Sequence, residues 1–439
     1  MTATLRILAA LLLAPLAPGG AARADDWPQW MGPKRDNVWR ETGLLDKFPE
    51  GGPKVLWRAP VAGGYAGPAV ANGLVYCGEY KSAVSLGEGN FERKEADGEE
   101  TVFALDQKTG ERKWEHKYPV RYTISYPTGP RCTPLVGGKL VYFLGAEGDL
   151  LACDAATGDI KWQRNLRKDY ATKAALWGYA AHLVIDGQKL LTLAGGEGSH
   201  LVALDKATGK ELWKAETSPE QGYSPPTIIE AAGVRQLILC GPTAIKAVDP
   251  ETGKRLWTTP YTADSGSIIM TPLVIGEYLF IAGYNNKNLL LKLTADKPGV
   301  EVVALNKLKH YISPVNVQPY AQDGVVYGVD ADGKLYAVEI PSGKRLWESQ
   351  GPLTDGKTFG SGTAFLVRQA DRVWLFNELG DLVIAKVTKT GYEEIDRAKL
   401  LAPTATAFGR KVVWCMPAFA DRKMYVRNDK EMICVDLAK

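Results

Sequence analysis

The sequence predicts an all-β fold, an eight-bladed β-propeller built from four-stranded antiparallel blades. The first observation behind this prediction is a short motif that recurs every 44 to 51 residues. That interval suits four short strands and their turns, as in a propeller blade or a solenoid turn. The second observation is that the last copy of the motif is cut short, while the missing part of a copy lies near the N-terminus. A solenoid has no reason to split a repeat in this way.

Each copy of the motif consists of an apolar strand, Ala-Leu-Asp or a close relative, two residues, Thr-Gly or Ser-Gly, three residues and Trp. The aspartate is expected to accept backbone hydrogen bonds in the tight turn that follows it, and the glycine to supply a positive φ. The tryptophan is expected to start the outer strand and to fill the gap between neighbouring blades. The residues in these positions are Asp106, Gly110 and Trp114; Asp154, Gly158 and Trp162; Asp205, Gly209 and Trp213; Asp249, Gly253 and Trp257; and Gly343 and Trp347.

Three more copies bring the number to eight. Those centred near Thr294 and Lys386 are degenerate, and the last one stops soon after Asp436 without its turn or its tryptophan. Near the other end of the chain, the run that ends in Trp57 has the pattern of the missing second half. We therefore expect the N-terminal strand to pair with the last blade and to close the ring without an exposed sheet edge at the seam.

The chain divides into a signal peptide at 1–24, an N-terminal extension at 25–52 and the propeller at 53–439. Arg6, the apolar stretch after it and the Ala-Arg-Ala sequence ending at Ala24 are typical of a secretory signal. No other segment approaches the ~20 apolar residues of a membrane helix. The mature protein is expected in the periplasm or outside the cell, as a monomer.

Composition and charge exclude several classes of function. The net charge is +3, which falls to +1 when the signal peptide with its two arginines is removed, so nothing favours nucleic acid or anionic lipid. The six cysteines occur singly, and no disulfide pairing follows from their positions. The four histidines lack metal-ligand spacing and no nucleophile motif is present, so neither a metal site nor a catalytic residue is predicted. These histidines are His116, His182, His200 and His310.

Four short segments have alternative interpretations. The residues from Gly351 to Thr358 match a phosphate-binding loop letter by letter, but a β-like run follows where that loop requires a helix. Gly195–Gly198 and Asp330–Gly333 are better explained as hairpin turns than as phosphate or calcium loops. The mixed charges of Glu92–Glu100 indicate a solvated loop in a long hairpin of the first blade, with a partner contact as the alternative.

The repeat resembles that of the quinoprotein-type propeller family, also called the pyrroloquinoline-quinone-like repeat family, from about Trp57 to Leu437. The segment Trp27–Pro33 and the run Trp177-Gly178-Tyr179 look like those of secreted bacterial members. The resemblance implies one of two activities. Quinoprotein dehydrogenases oxidise alcohols or sugars with pyrroloquinoline quinone and Ca²⁺ held over the propeller axis, whereas the outer-membrane barrel-assembly lipoprotein uses a similar ring as a protein-binding scaffold.

The sequence departs from both branches. It has no adjacent pair of cysteines and no Cys-x-x-Cys-His haem motif, and the calcium ligands and catalytic aspartate of the dehydrogenases have no assignable position. A lipid-anchoring cysteine is also missing after the signal, because the first cysteine is Cys77. The repeat therefore supports the fold more strongly than it supports either activity.

The loops from each outer strand to the next inner strand should converge at one mouth of the central channel, and they are rich in aromatic and cationic residues. Aromatic walls with a few cations suit a planar acidic ligand such as a quinone, a peptide or a glycan, whereas loop packing is the alternative explanation. The main candidates are Tyr126, Arg131, Trp177, Tyr179, Tyr223, Tyr311 and Trp414. Further members of these loops are Tyr65, Arg121, Tyr122, Lys173, His310 and Lys357.

Three functions follow from these observations. The leading hypothesis is a binding or interaction scaffold that presents the loop-lined face to a protein, a glycan or a small ligand. The alternative is an oxidoreductase that uses pyrroloquinoline quinone with Ca²⁺, and a weaker alternative is the binding or processing of polysaccharides. The sequence leaves the role of the Trp27–Pro33 segment open.

Overall fold

The computed structural model describes residues 25–82, 84, 90–307, 309–353 and 359–439. The signal peptide predicted at 1–24 lies outside these residues. Strands and turns make up almost all of the described chain, which has one short α-helix, α1 (Leu166–Asp169), and one 3-10 turn at Asp264–Gly266. None of its helices has the length and apolar character needed to cross a membrane.

The strands of the first half are β1 (Val55–Pro60), β2 (Ala69–Ala71), β3 (Leu74–Ser82), β4 (Lys94–Asp106), β5 (Arg112–Ile124), β6 (Leu135–Gly137), β7 (Leu140–Leu144), β8 (Asp149–Asp154), β9 (Ile160–Asn165), β10 (Val184–Asp186), β11 (Lys189–Leu193), β12 (Leu201–Asp205), β13 (Glu211–Ala215), β14 (Thr227–Ala231), β15 (Val234–Cys240), β16 (Ala244–Val248) and β17 (Arg255–Pro260).

The strands of the second half are β18 (Leu273–Ile275), β19 (Tyr278–Gly283), β20 (Lys287–Leu293), β21 (Val300–Leu305), β22 (Tyr320–Gln322), β23 (Val325–Val329), β24 (Leu335–Glu339), β25 (Arg345–Ser349), β26 (Ala364–Gln369), β27 (Arg372–Asn377), β28 (Asp381–Thr388), β29 (Gly391–Lys399), β30 (Ala405–Ala407), β31 (Arg410–Val412), β32 (Ala418–Ala420), β33 (Lys423–Arg427) and β34 (Glu431–Asp436).

The described strands form eight four-stranded antiparallel sheets and one separate hairpin, β30–β31. Sheets 1 to 7 are β2–β5, β6–β9, β10–β13, β14–β17, β18–β21, β22–β25 and β26–β29, each in sequence order. Sheet 8 contains β32, β33 and β34, and its fourth strand is β1 from the N-terminal part of the chain. The register of this pairing places Val55 opposite Val435 and Pro60 opposite Glu431. The first strand of sheet 1, β2, also contacts the first strands of sheets 2 and 8.

The repeated aspartates and glycines form the same turn in successive sheets. In sheet 1, a carboxylate oxygen of Asp106 accepts hydrogen bonds from the backbone N–H groups of Lys108 at 2.9 Å and Thr109 at 3.0 Å. These donors lower the pKa of Asp106. Gly110 then has φ of 73°, a left-handed conformation that favours glycine. The same bonds occur at Asp154, Asp205 and Asp249.

The tryptophan of one sheet lies against the glycine turn of the next sheet. A Cβ atom added to Gly158 in sheet 2 would lie 2.6 Å from the ring of Trp114 in sheet 1. The indole N–H of Trp114 donates to a backbone carbonyl of the same turn, that of Ala155, at 3.1 Å. Because the indole fills the space between the two sheets, only glycine fits at this position of the turn. Equivalent close approaches join Trp57 to Gly110, Trp162 to Gly209 and Trp213 to Gly253.

Sheet 5 lacks the motif tryptophan, and Tyr311 takes its place. The ring of Tyr311 lies against Gly343 of sheet 6, where an added Cβ would be 2.9 Å from it. Its hydroxyl donates to the Pro341 carbonyl at 2.6 Å. The predicted position of Tyr311 at the channel mouth is therefore wrong, because its ring packs between sheets 5 and 6.

The N-terminal extension packs across several sheets. Trp27 forms a two-way backbone bridge with Val70 of β2, and the Pro28 carbonyl accepts a hydrogen bond from Val136 of β6. Further along, Asn37 and Trp39 exchange backbone hydrogen bonds with Arg368 of β26 at 2.8 Å. The extension shares one hydrophobic core with sheets 1, 6, 7 and 8, to which it contributes the buried residues Trp27, Trp30, Met31, Trp39 and Leu44.

Glu92–Glu100 lies in a long hairpin of sheet 1 and five of its nine residues are exposed, but the segment is a strand from Lys94 onward rather than a loop. β4 begins at Lys94 and pairs with β5 along its whole length. Glu100 is fully buried, where its carboxylate accepts hydrogen bonds from the hydroxyls of Tyr118 and Tyr122 and from the Ala146 N–H. Burial raises the pKa of Glu100. The alternating charges therefore belong to a long arm of β4 and β5, which β3 joins from Gly98 onward and whose other face packs inward.

Candidate functional site

The connections that lead to the first strand of each sheet converge on one cavity of about 180 Å³, here called the aromatic cavity. All eight sheets contribute to its lining. The lining residues from these connections and first strands are Tyr65, Gly67, Tyr126, Arg131, Thr133, Trp177, Ala180, His182, Tyr223, Ser267, Ile269, Val315, Asn316, Phe365, Trp414 and Met416. Trp30 of the N-terminal extension and four residues of hairpin turns, Asn90, Phe91, Tyr284 and Phe408, complete it.

The aromatic side chains form two groups. In the first, Trp177 lies 5.4 Å from Tyr223 and 5.5 Å from Phe91, measured between ring centroids. In the second, Trp414 lies 5.7 Å from Tyr126 and 5.9 Å from Phe408. The edge-on and tilted arrangements are those that aromatic pairs prefer. The two groups give the cavity stiff apolar walls.

Phe91 and Phe408 lie at the exposed end of the cavity, since 47% and 37% of their surfaces are accessible. Phe91 lies in the connection between β3 and β4, shortly before β4 begins, and the side chain of nearby Arg93 donates to the carbonyls of Thr123 and Ala174. Phe408 is at the turn of the β30–β31 hairpin. That hairpin is fixed by Arg410, whose guanidinium contacts the fully buried Glu378 at 2.6 Å. Two anchored hairpins thus present phenyl rings at the rim.

The buried side of the cavity carries a polar group on an aromatic stack. The ring of His182 lies parallel to that of Trp30, with centroids 4.4 Å apart. Its Nδ1 accepts a hydrogen bond from the Thr133 N–H at 3.1 Å, so the neutral ring carries its proton on Nε2. Burial and the charge of Arg35 lower the pKa of His182 well below its usual value. His182 therefore offers a neutral N–H donor, with no hydrogen-bond partner for Nε2 in the described chain.

Arg131 brings positive charge to the lining. Its guanidinium donates to the carbonyls of Gly129, Ser125 and Tyr126 and lies 5.1 Å from the centroid of the Tyr65 ring. Backbone carbonyls hold it in place without neutralising its charge. No aspartate or glutamate occurs among the described lining residues. The cavity therefore favours a neutral or acidic ligand with an apolar or aromatic body.

Of the seven main candidates, Tyr126, Arg131, Trp177, Tyr223 and Trp414 come together in the cavity. Tyr179 does not, and its placement there is a second error. Its ring is buried against Gly148 of sheet 2, and its hydroxyl donates to the Ala194 carbonyl of the following sheet at 3.3 Å. The Tyr179 ring lies so close to residue 148 that only glycine fits there. Tyr179 therefore occupies the space between sheets and does not line the cavity.

The further loop residues are dispersed, apart from Tyr65. Tyr122 stacks on Tyr80 with centroids 3.9 Å apart, and Arg121 forms an ion pair with Glu95 at 2.6 Å on the long arm. His310 is exposed beside Tyr311. Lys173 is absent from the cavity lining, and Lys357 lies outside the described residues.

Five lining residues were not among the candidates predicted from the sequence, namely His182, Trp30, Phe91, Tyr284 and Phe408. His182 lacks metal-ligand spacing, so the sequence predicted neither a metal-binding nor a catalytic role for it. Trp30 lies in the Trp27–Pro33 segment, whose role the sequence left open. That segment was the one feature of the sequence that could have indicated Trp30. Phe91 and Phe408 lie in connections between paired strands, and the hairpin that carries Phe408 falls outside the repeat pattern.

The remaining motifs are structural in the described chain. Gly195–Gly198 connects β11 to β12, and Asp330–Gly333 connects β23 to β24. Asp330 accepts hydrogen bonds from the backbone of Ser313 and Ala331 and pairs with Arg345 at 2.8 Å. The phosphate-loop match falls largely on 354–358, outside the described residues. All six cysteines are buried and free.

The residues of the cavity do not fit a calcium-bound quinone. Ca²⁺ takes six to eight oxygen ligands, of which carboxylates are the usual anionic members. The described lining offers no carboxylate, and no cluster of three or more His, Cys, Asp or Glu residues suitable for a metal ion occurs in the described chain. Arg131, the cation of the lining, already donates to three carbonyls.

Comparison with known proteins agrees with this architecture. A family model described as outer membrane protein assembly factor BamB matches residues 50–194, 99–305 and 242–439. BamB of Burkholderia pseudomallei is 29% identical over 163 residues, which cover 35% of this chain and 41% of that protein. A quinohemoprotein alcohol dehydrogenase of Pseudomonas putida is 29% identical over 134 residues, 28% of this chain and 18% of that protein. These matches thus span less than half of either relative.

Solved structures share the β-propeller fold at low sequence identity. BamB from Moraxella catarrhalis matches with a TM-score of 0.55 and 16% identity, over 87% of this chain and 96% of that one. A quinohemoprotein alcohol dehydrogenase from Comamonas testosteroni matches with a TM-score of 0.58 and 14% identity, over 96% of this chain and 82% of that one. The fold is common to both, and the matched family model covers most of the sequence. The chain therefore belongs to the family of the outer membrane protein assembly factor BamB, with quinoprotein-like repeats.

Proposed function

We propose that this chain is a closed, eight-bladed propeller that acts as a binding scaffold in the periplasm or outside the cell. The aromatic cavity is its recognition site, and a segment of a partner protein is its ligand. The observation that carries the proposal is the lining itself, in which all eight sheets contribute to one cavity with aromatic walls, a neutral N–H donor and no described carboxylate.

Ring closure is supported by two contacts at the seam. β1 supplies the fourth strand of sheet 8, and its Trp57 packs on Gly110 of sheet 1, as Trp114, Trp162 and Trp213 pack on the turn glycines of their next sheets. The extension adds a third contact, because its backbone reaches sheets 1, 2, 7 and 8. A closed ring would hold the eight connections in fixed positions around the cavity, which rigid recognition requires.

The ligand follows from the chemistry of the cavity. An aromatic or aliphatic side chain would fill the space between the Trp177 group and the Trp414 group, and a carbonyl or carboxylate beside it would accept from His182. Arg131 would disfavour a cationic side chain. The exposed rings of Phe91 and Phe408 would cover the neighbouring residues of the bound segment, as aromatic residues at interfaces do.

The family supports a partner in the cell envelope. The matched model and two of the relatives are named as outer membrane protein assembly factors. A secretory signal in the sequence, if cleaved near Ala24, would deliver the chain to the same compartment. We therefore propose envelope proteins, in particular during their assembly, as the partners of the cavity.

The second candidate is an oxidoreductase dependent on pyrroloquinoline quinone, which the dehydrogenase relatives favour. The two are separated by titrating the purified mature chain with this quinone, with and without Ca²⁺, while tryptophan fluorescence and quinone absorbance are recorded. If the chain is a scaffold, we expect no saturable calcium-dependent binding of the quinone. Saturable binding at micromolar affinity that requires Ca²⁺ would replace it with the oxidoreductase.

A further inference from the structure

The edge strand of sheet 5, β21, exposes aliphatic side chains to solvent. Val302, Val303 and Leu305 have 52%, 44% and 42% of their surfaces accessible. Ten large hydrophobic residues are exposed in the described chain, and four of them belong to sheet 5, the fourth being Val274. Three exposed aliphatic side chains within one six-residue strand form a patch of the kind that marks an interaction site.

Sheet 5 lacks the motif tryptophan, but this does not explain why β21 exposes aliphatic side chains. Sheet 7 also lacks that tryptophan, but its edge strand β29 carries charged residues at Glu393, Glu394 and Asp396. Charged side chains on an edge strand prevent unwanted association. β21 has one charged residue, Glu301, and Tyr311 already fills the space beside sheet 6. The aliphatic side chains of β21 are thus not needed for packing between sheets.

The patch is flanked by positive charge. Lys297 precedes the strand, and Lys307 and Lys309 follow it. All three are exposed, and none forms an ion pair within the described part of the chain. The position after the strand is fixed, because the backbone of Lys307 is hydrogen-bonded to the side chain of Asn288 at 2.9 Å. The surface therefore combines an aliphatic centre with lysines at both ends, and the exposed Asp296 stands beside Lys297.

We propose that β21 is a second docking site, which binds an extended segment of a partner protein with aliphatic side chains between acidic flanks. Val302, Val303 and Leu305 contact the aliphatic residues, and the three lysines pair with the flanking carboxylates. A bulge leaves Val303 without an opposite residue, since Val302 pairs with Leu291 and Ala304 with Leu290. The bulge interrupts the strand edge, so side-chain contacts rather than a long backbone ladder determine recognition. This site does not depend on the aromatic cavity.

The test uses the mature full-length chain and a fluorescent peptide of alternating valine and threonine residues with two glutamates at each end. Binding is followed by fluorescence anisotropy. We expect saturable binding that weakens at least tenfold in the double variant Val302→Lys, Leu305→Lys. The matched control is Leu212→Lys, which changes an aliphatic residue that is 49% exposed on the edge strand β13, and it should bind like the unmodified chain.

Charge reversal gives a second readout. The double variant Lys307→Glu, Lys309→Glu should lose at least tenfold in affinity for the glutamate peptide and gain affinity for the same peptide with lysine flanks. The proposal is overturned if the glutamate peptide shows no saturable binding, or if both double variants bind it unchanged. It is also overturned if sedimentation equilibrium shows dimers that Val302→Lys, Leu305→Lys abolishes, because the strand would then contact a second copy of the chain.

Discussion

The indole N–H of Trp57 donates to the Gln107 carbonyl at 3.0 Å, across the boundary between sheet 8 and sheet 1. Trp57 precedes every strand of sheet 1 in the sequence, yet it belongs to the last sheet through the pairing of β1 with β34. The same indole lies against Gly110 of the sheet 1 turn. One side chain thus joins the last sheet to the first.

We expect Trp57→Ala to lower the free energy of unfolding by about 3–5 kcal/mol, because a buried indole and its hydrogen bond are lost. Chemical denaturation followed by circular dichroism measures this change. The neighbouring Leu56→Ala is the control, since Leu56 is 37% exposed and should change stability by about 0.5 kcal/mol or less. Equal stabilities of the two variants would contradict the role of Trp57 at the seam.

The glycine turns provide an independent check of packing between sheets. Gly158→Ala places a Cβ within 2.6 Å of the Trp114 ring at φ of 80°, and should lower the free energy of unfolding by about 2 kcal/mol or more. Gly138→Ala is matched in φ, at 72°, but has no atom within 4 Å of the added Cβ. It should cost about 1 kcal/mol. If Gly138→Ala were the more damaging variant, the indole would not limit the turn.

Arg410 should be required for the β30–β31 hairpin because it neutralises Glu378, which is fully buried. Arg410→Met leaves this carboxylate without its cation, and we expect a loss of about 3 kcal/mol in unfolding free energy. Thermal unfolding of Arg410→Met, Glu378→Gln and the double variant measures the coupling. The double variant should be more stable than Arg410→Met, and strictly additive losses would show that the two residues act separately.

His200 should make stability depend on pH. It is fully buried, and burial followed by the charge of Lys246 lowers its pKa to about 4. The unfolded chain binds a proton at this residue near pH 6.5, while the folded chain does not until about pH 4. Its contribution to stability is therefore present above pH 6.5 and is lost as the pH falls towards 4.

The measurement is urea denaturation at several pH values between 7 and 4. His200→Asn should reduce the slope of unfolding free energy against pH by up to about 1.4 kcal/mol per pH unit. The control is Leu212→Asn, which changes an exposed residue that does not titrate and should leave the slope unchanged. An identical slope in His200→Asn would mean that His200 binds its proton equally in the folded and unfolded chains.

Much of the fold was predictable because the Asp, Thr-Gly and Trp positions specify one local turn and one contact with the next sheet. Tyr311 could not be predicted from the motif. It performs the task of the missing tryptophan from a position outside the motif, so the spacing gave no indication of it. The burial of Glu100 could not be predicted from the sequence either, since it depends on Tyr118 and Tyr122 of the opposite strand.

The cavity was predictable only in part, for a related reason. Loops that precede the first strands could be identified by counting repeats, which located Trp177, Tyr223 and Trp414. His182 acquires its role from stacking on Trp30, a residue of the extension that no repeat describes. Side chains brought together by chain segments without periodicity require the structure itself.

The central claim, a partner segment bound at the aromatic cavity, is tested most directly by site-specific photocrosslinking in cells that produce the full chain. A benzophenone amino acid is placed at Phe91, at Phe408 or, as a control, at the distant edge-strand residue Leu212. We expect the same discrete envelope protein to crosslink from Phe91 and Phe408, and not from Leu212. Equal crosslinking from all three positions, or none from the two at the rim, would contradict a binding site at the cavity.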